Sequence, residues 1–219
     1  MALNVILIGI QGSGKGTQSP FITETFGIPQ ISTGDLFRAL PQTNPALAAK
    51  VKEIMDRGDL VPDSITNQMV EERLQLPDAQ NGAIFDGFPR NDGQADFLEG
   101  ALAKRGQRVN AVIVLNLARE IAFQRATGRR FSQDKQRVYN IYTNPPKVEG
   151  QDDVDGQPLI QRSDDQPEAV NKRLDDYFAL TMPLISYYQS KGLVYELDAS
   201  QSIEAVRAEI ARILNSVKQ

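Results

Sequence analysis

Residues 3–8 form an apolar run that stops at Gly9, and the chain then reads Gly9-Ile10-Gln11-Gly12-Ser13-Gly14-Lys15-Gly16-Thr17 before a helical pattern begins. Such a run predicts a strand buried on both faces of a parallel sheet. Gly9, four residues, Gly14 and Lys15 follow the phosphate-loop pattern. The glycines let the backbone wrap so that N–H groups converge on phosphate oxygens, the helix adds its positive end, and Lys15 adds a full charge. A glycine-rich turn alone is a weak signal; the complete set in its strand–loop–helix context is a strong one. The usual pattern places Ser or Thr directly after the lysine to hold magnesium, but here that residue is Gly16 and the hydroxyl comes at Thr17. No Asn-Lys-x-Asp guanine reader exists either, since Asn171-Lys172 runs into Arg173-Leu174. Both departures point away from GTPases and motor ATPases, toward small-molecule kinases.

Further apolar runs at 82–85, 110–117 and 193–197, with a shorter one at 28–31, predict a sheet of about five strands. Helical patterns lie between them at 15–25, 35–40, 45–57, 63–76, 92–105, 119–127, 167–189 and 202–217. The alternation gives an α/β fold with helices on both faces and a ligand crevice beyond the carboxyl ends of the strands. Two stretches depart from a plain doubly wound sheet. Between the second and third strands several helices follow one another with no strand. From 129 to 165 the composition turns to Gly, Pro, Asp, Gln and Arg, which predicts a small folded lobe or lid, not a structureless loop. Phe131, Val138, Tyr139, Ile141, Tyr142, Val148 and Leu159 suggest a small β-rich apolar core for it.

Composition removes whole classes of chemistry. The 219 residues contain no cysteine and no histidine, so disulfides, thiolate metal sites, Ser-His-Asp hydrolysis and zinc hydrolysis are excluded. A net charge of −4 argues against general affinity for nucleic acid or anionic membrane. The apolar N-terminus is too short to cross a bilayer and lacks the features of a signal peptide, so a soluble, cytoplasmic protein is expected. Catalysis must run on Asp, Glu, Lys, Arg, hydroxyls and backbone.

The third strand ends in Asp86, where a carboxylate can orient the waters of a magnesium ion beside the phosphate loop. Arginines stand near glycine turns: Arg38, Arg90, Arg125, Arg129, Arg130, Arg137, Arg162 and Arg173. On an acidic chain these read as phosphate ligands, whereas Arg57, Arg105 and Arg212 read as solvated surface charges. Phosphoryl transfer between two polyanions needs neutralisation and alignment more than proton chemistry, and a phosphate acceptor needs no general base.

The ordered motifs of nearly the whole chain resemble one family, adenylate kinase in its long-lid form. They comprise the loop at 9–18, Gly27-Ile28-Pro29-Gln30-Ile31-Ser32-Thr33-Gly34-Asp35, Asp86-Gly87-Phe88-Pro89-Arg90 with Gln94, and Gly128-Arg129-Arg130. Arg137-Val138-Tyr139, Asn144-Pro145-Pro146-Lys147-Val148-Glu149-Gly150, Asp152-Asp153, Gln161-Arg162, Asp164-Asp165 and Lys172-Arg173-Leu174 complete the set.

The resemblance implies a P-loop three-layer α/β fold with a central parallel five-stranded sheet. It makes 1–219 a single kinase domain carrying two insertions, an AMP-binding lobe at 32–61 and a lid over ATP at 129–165. It implies reversible transfer, ATP + AMP to two ADP, with magnesium and by a monomer. Gly12, Ser13, Gly14, Lys15, Gly16 and Thr17 would hold ATP phosphates, with Arg125, Val138, Tyr139 and Gln201 near the ATP base. Thr33, Arg38, Asp59, Leu60, Val61, Gly87, Phe88, Pro89, Arg90 and Gln94 would form the AMP site, Arg38 and Arg90 holding its phosphate and Gln94 reading the adenine edge. Lys15, Arg90, Arg129, Arg162 and Arg173 would carry catalysis, the last three clamping the transferring group and Arg162 and Arg173 also touching AMP. Asp86 would organise the metal's water shell, with Asp164 and Asp165 as weaker candidates in the lid.

Departures qualify the carry-over. Many relatives pin the lid with four cysteines around zinc or a polar set including His; here those positions are Ser132, Lys135, Asp152 and Asp155, which suggests a salt-bridged substitute and no structural zinc. Pro20 lies inside the helix after the loop, where it removes a donor and can kink the helix. Competing readings are a kinase for another nucleoside monophosphate, a GTP:AMP phosphotransferase, and a non-catalytic nucleotide-binding module; the intact arginine set speaks against the last.

Overall fold

Leu3, Val5 and Leu7 join the apolar core on one face of a central sheet, while Ile6 and Ile8 join that on the other, the period-two alternation of a strand covered on both sides. This computed structural model describes residues 2–218. In chain order the elements are β1 (Leu3–Gly9), α1 (Lys15–Phe26), β2 (Gln30–Ser32), α2 (Thr33–Thr43), α3 (Pro45–Asp56), α4 (Asp63–Leu74), β3 (Gly82–Asp86) and α5 (Asp92–Ala103). There follow β4 (Ala111–Asn116), α6 (Arg119–Thr127), β5 (Arg129–Phe131), β6 (Val138–Asn140), α7 (Pro167–Asp176), α8 (Pro183–Gln189), β7 (Val194–Asp198) and α9 (Ile203–Val217).

Five strands form one parallel sheet in the order β2-β3-β1-β4-β7. The register pairs Leu7 with Asp86 and Gly9 with Leu115, so the strands finish together at one edge. From β1 the chain crosses toward β2 and β3 on one side and β4 and β7 on the other. The C-terminal end of β1 is therefore a topological switch point, where α/β sheets open a crevice. Phe85, Leu98, Leu102, Val112 and Tyr188 fill one layer of core, and Ile22, Phe26, Ile113, Ile210 and Leu214 fill the other. The fold is the three-layer α/β architecture with a parallel five-stranded sheet that the motifs imply.

The helices between β2 and β3 form a lobe with its own apolar cluster, Leu40, Ala48, Val51 and Val61. Helix α1 runs unbroken through Pro20, and the Ser19 hydroxyl bonds the Lys15 carbonyl at 3.0 Å. The single helix expected over 167–189 is instead three segments: α7, a π-helical turn at Tyr177–Thr181, and α8. Pro183 has no N–H for the carbonyl four residues back, and a wider turn, closed by Met182 N–H on the Tyr177 carbonyl at 2.8 Å, leads into α8. That turn also brings the Thr181 hydroxyl to the Arg90 carbonyl at 3.2 Å.

The 129–165 segment folds as a β5–β6 antiparallel hairpin extended by bridges from Phe131 to Ile160 and Gln151 to Pro158. Its interior is not the apolar one expected. Phe131 and Tyr139 are buried, but Val138, Ile141, Tyr142 and Val148 are exposed. The centre is polar: Arg137 Nε donates to both oxygens of buried Asp152 at 3.0 and 2.8 Å, and the Tyr139 hydroxyl donates to Asp152 Oδ1 at 2.7 Å. Arg137 also meets Asp134 and Asp155, each at 3.2 Å. The cation of this substitute is thus Arg137. Lys135, with a φ of 60°, pairs with neither Asp152 nor Asp155 and lines the central cleft. Hydrogen bonds from Arg137 hold the Asp152 carboxyl far below the usual range against its burial, with Tyr139 adding to the effect.

Candidate active site

The phosphate loop stands where β1 meets α1. Gly12 and Gly14 adopt φ of 88° and 94°, a region that side chains resist, and Gly14 is the residue that caps α1. A Cβ on Gly12 would also lie 2.7 Å from the Ala122 carbonyl oxygen, so the glycine lets the loop settle directly on α6. Lys15 folds back along the loop and donates to the Gly9 carbonyl at 2.6 Å and the Ile10 carbonyl at 3.3 Å. Burial pushes its amine down to about 8, with Asp86 opposing and Arg90, Arg173 and Arg129 adding to the fall. Phosphate oxygens placed there would reverse that balance.

The loop opens on a cleft of about 1000 Å³ running from the helical lobe to the β5–β6 lobe. Eight cations line it: Lys15, Arg38, Arg90, Arg125, Arg129, Lys135, Arg162 and Arg173, against the carboxylates of Asp35, Asp59, Asp86, Asp164 and Asp176. Each arginine is aimed by a specific partner. Arg90 Nε bonds the Gly87 carbonyl at 2.9 Å, Arg173 bonds Asp164 at 2.6 Å, and Arg38 bonds Asp35 at 2.5 Å. Arg129 forks onto Asp165, and Arg125 bonds the Ala199 carbonyl at 3.1 Å. Arg162 packs 4.0 Å from the centre of the Phe131 ring and has no ion pair among the described residues.

Burial pushes Arg90 down to about 10, with Arg173 adding to the effect, and pushes Arg162 down to about 10, with Arg38 and Arg129 adding to it. Arg173 is lowered by burial and again by Arg129. Arg129 is raised: burial pulls it down, but the Asp165 hydrogen bonds and the charges of Asp165, Asp164 and Asp86 together outweigh that. Buried guanidinium groups that repel one another favour a ligand carrying several negative charges.

Asp86 closes the floor of the cleft. Its Oδ2 accepts from Gln30 Nε2 at 3.0 Å, and its other oxygen has no donor among the described residues. A hard divalent cation that keeps most of its water and is shared with phosphates suits this single carboxylate. Among the described residues no three His, Cys, Asp or Glu side chains gather as a metal cage.

Of the residues the sequence nominates, Gly12 to Thr17, Thr33, Arg38, Asp59, Leu60, Val61, Gly87, Pro89, Arg90, Gln94, Arg125, Arg129, Val138, Tyr139, Arg162, Arg173 and Gln201 line this one cleft. Phe88 does not: its ring is buried in the core, edge-on to Phe97 with centroids 6.4 Å apart. Arg130 bonds the Thr127 and Arg129 carbonyls and Arg137 serves the β5–β6 lobe, and neither lines the cleft. Asp165, which does not line the cleft, has both oxygens engaged by Arg129 and Gln11, whereas Asp164 lines it and pairs through Oδ2 with Arg173. Sequence reasoning missed Gln30 as the partner of Asp86 and Asp63 as the partner of Gln94. Gln30 lies within the Gly27-to-Asp35 motif, but nothing in the chain links Asp63 to a residue 31 positions later.

The glycine loop leads into a helix whose end faces a convergence of arginines, an arrangement suited to holding several phosphate groups. The class is therefore a P-loop phosphotransferase. The Adenylate kinase family profile matches residues 7–193. The chain is 46% identical over 213 residues to the adenylate kinase of Shouchella clausii (strain KSM-K16), covering 97% of this chain and 98% of that one. It is 42% identical over 214 residues to the adenylate kinase of Listeria monocytogenes serotype 4a (strain HCC23), covering 98% and 100%. This chain belongs to the adenylate kinase family.

Proposed function

We propose that this chain catalyses reversible phosphoryl transfer from magnesium-ATP to AMP, giving two ADP. The observation that carries this reading is one cleft with cationic grips for two phosphate groups: the loop with Lys15, and Arg38 with Arg90, linked through Arg129, Arg162 and Arg173. An oxygen of the AMP phosphate forms a bond to the γ-phosphorus as the bond from that phosphorus to the bridging oxygen breaks, and the bridging oxygen leaves on ADP. No proton moves, so no general base is needed. The arginines neutralise charge that spreads over the transferring group and hold acceptor and donor in line.

Thr33, Asp59, Leu60 and Val61 of the helical lobe at 32–61, with Gly87, Pro89 and Gln94 beyond β3, form the AMP site. Arg125, Val138, Tyr139 and Gln201 flank the ATP base. Segment 129–165 acts as a lid that excludes water from the donor phosphate. Asp86, aimed by Gln30, would hold a magnesium ion through its waters; the ion supplies charge neutralisation at the ATP phosphates. One chain furnishes the whole lining, which supports a working monomer. ADP formation from ATP with AMP, CMP, UMP or GMP tests the reading. Fast turnover with AMP and slow turnover with the others is expected; preference for a different monophosphate, or none, would refute it.

A further inference from the structure

Gln94 lines the cleft with 2% of its surface exposed, and two neighbours dictate which way round its amide lies. The Arg90 backbone N–H can only donate, so the atom 2.8 Å from it is the carbonyl Oε1. The Asp63 carboxylate offers acceptors, so the atom 2.7 Å from its Oδ1 is the amide Nε2. A turned amide would set N–H against N–H and oxygen against oxygen. Asp63 does not line the cleft and stands at the start of α4. It is itself held by Asn91 Nδ2, 3.2 Å from each carboxylate oxygen, and Asn91 Oδ1 caps α5 by accepting from Gln94 N–H at 2.8 Å.

We propose that Asp63 is a specificity-determining positioning residue, which fixes the order of donor and acceptor that Gln94 shows to the acceptor nucleotide's base. This rests on the reading that Gln94 faces the AMP base. With two bonds spent on protein, the amide keeps one N–H and one oxygen lone pair. A 6-amino purine presents a ring-nitrogen acceptor beside an amino donor; a 6-oxo purine presents a ring N–H donor beside a carbonyl acceptor. The two edges are reversed copies of each other. An amide free to turn pairs with either, and one held in a single orientation pairs with one. Asp63 thus adds its acceptor to the Arg90 N–H, and the pair holds Gln94 as a discriminator between AMP and IMP.

The test is kcat/KM for AMP and for IMP in the wild type, D63N, D63S and Q94A, with D63S keeping a good helix-start residue should D63N fold poorly. In D63N and D63S the AMP-to-IMP ratio falls by about tenfold, through KM for the monophosphate and not KM for ATP. An equal loss for both substrates, with the ratio intact, would mean that Asp63 only braces α4 and would overturn the proposal. If Q94A leaves the ratio unchanged, the reading of Gln94 fails and this inference fails with it. If Q94A collapses the ratio while both Asp63 variants keep it, only the role of Asp63 is refuted. The ¹⁵N-resolved side-chain amide of Gln94 gives a readout free of turnover: one proton is shifted by its bond to a carboxylate in the wild type and returns toward the free value in D63N. An unshifted wild-type amide would contradict the proposal.

Discussion

Arg129 donates to both oxygens of Asp165, from Nε at 2.9 Å and from Nη2 at 2.5 Å, and Asp165 Oδ1 also accepts from Gln11 of the phosphate loop at 2.9 Å. A fully buried carboxylate thus ties the base of the 129–165 lobe to the loop and fixes the plane of the guanidinium. Arg129→Ala would leave Asp165 buried without its cation, at a cost of about 3 kcal/mol in stability as well as a loss of turnover. Arg129→Lys should recover much of that stability in urea unfolding but little of the turnover, because an ammonium cannot bridge two oxygens as a fork. Full turnover in Arg129→Lys would contradict the clamp.

Arg162 makes the contrasting case, with its guanidinium stacked on Phe131 and no carboxylate partner among the described residues. Arg162→Ala gives up a cation–π contact worth about 1 kcal/mol or less. Its turnover should fall about a hundredfold or more if it neutralises the transferring group. A stability loss with turnover preserved would place Arg162 in the scaffold instead.

Lys15 supplies a pH signature. Its amine is pushed down to about 8, so above that pH the free protein increasingly holds it neutral. Bound phosphates restore the charge, and binding then takes up a proton. ATP affinity measured by calorimetry should therefore weaken between pH 7 and pH 9 by about tenfold, the limit being one decade per pH unit above the amine's pKa. Lys15→Met should bind weakly at both pH values with the dependence gone. An affinity flat across this range in the wild type would count against the role of Lys15.

Asp152 supplies another, with the opposite sign. Its folded carboxyl lies well below the ordinary value, so its contribution to stability is fully present above about pH 4 and is lost as pH falls through the folded pKa. Asp152→Asn should melt below the wild type at pH 6, with the gap narrowing only in acid below the normal carboxylate range. A gap that is constant from pH 6 into that range would mean that the Arg137–Asp152 pair does not hold the lobe.

What the sequence made legible follows from the range of the forces involved. The β1 strand, the loop and α1 are local: apolar period, glycine positions and a lysine at a helix start are all contained in 24 residues of contiguous chain. The arginines that converge on the cleft were legible as a set, because basic residues beside turns stand out on an acidic chain. Their division of labour was not. Arg137 lies one residue before the β6 strand that bears Tyr139, and only the folded hairpin reveals that it faces Asp152, 15 residues on. Lys135 was the nearer guess by correspondence, but its left-handed backbone sends it to the cleft instead. The polar interior of that lobe escaped for a similar reason. Valines and tyrosines with strand character suggested a greasy centre, whereas a segment this small buries little apolar surface and is organised by one charged pair. Phe88 was drawn into the site by its neighbours Gly87 and Arg90, although its side chain is buried in the apolar core against Phe97.

A single-turnover reaction of ATP labelled in the γ-phosphate, with excess AMP labelled in the ribose, tests the central claim most directly. Direct transfer in one cleft predicts that the γ-label appears as the β-phosphate of ADP bearing the labelled ribose, mole for mole, with no release to water. Label recovered as inorganic phosphate, or trapped on the protein before AMP is added, would contradict it.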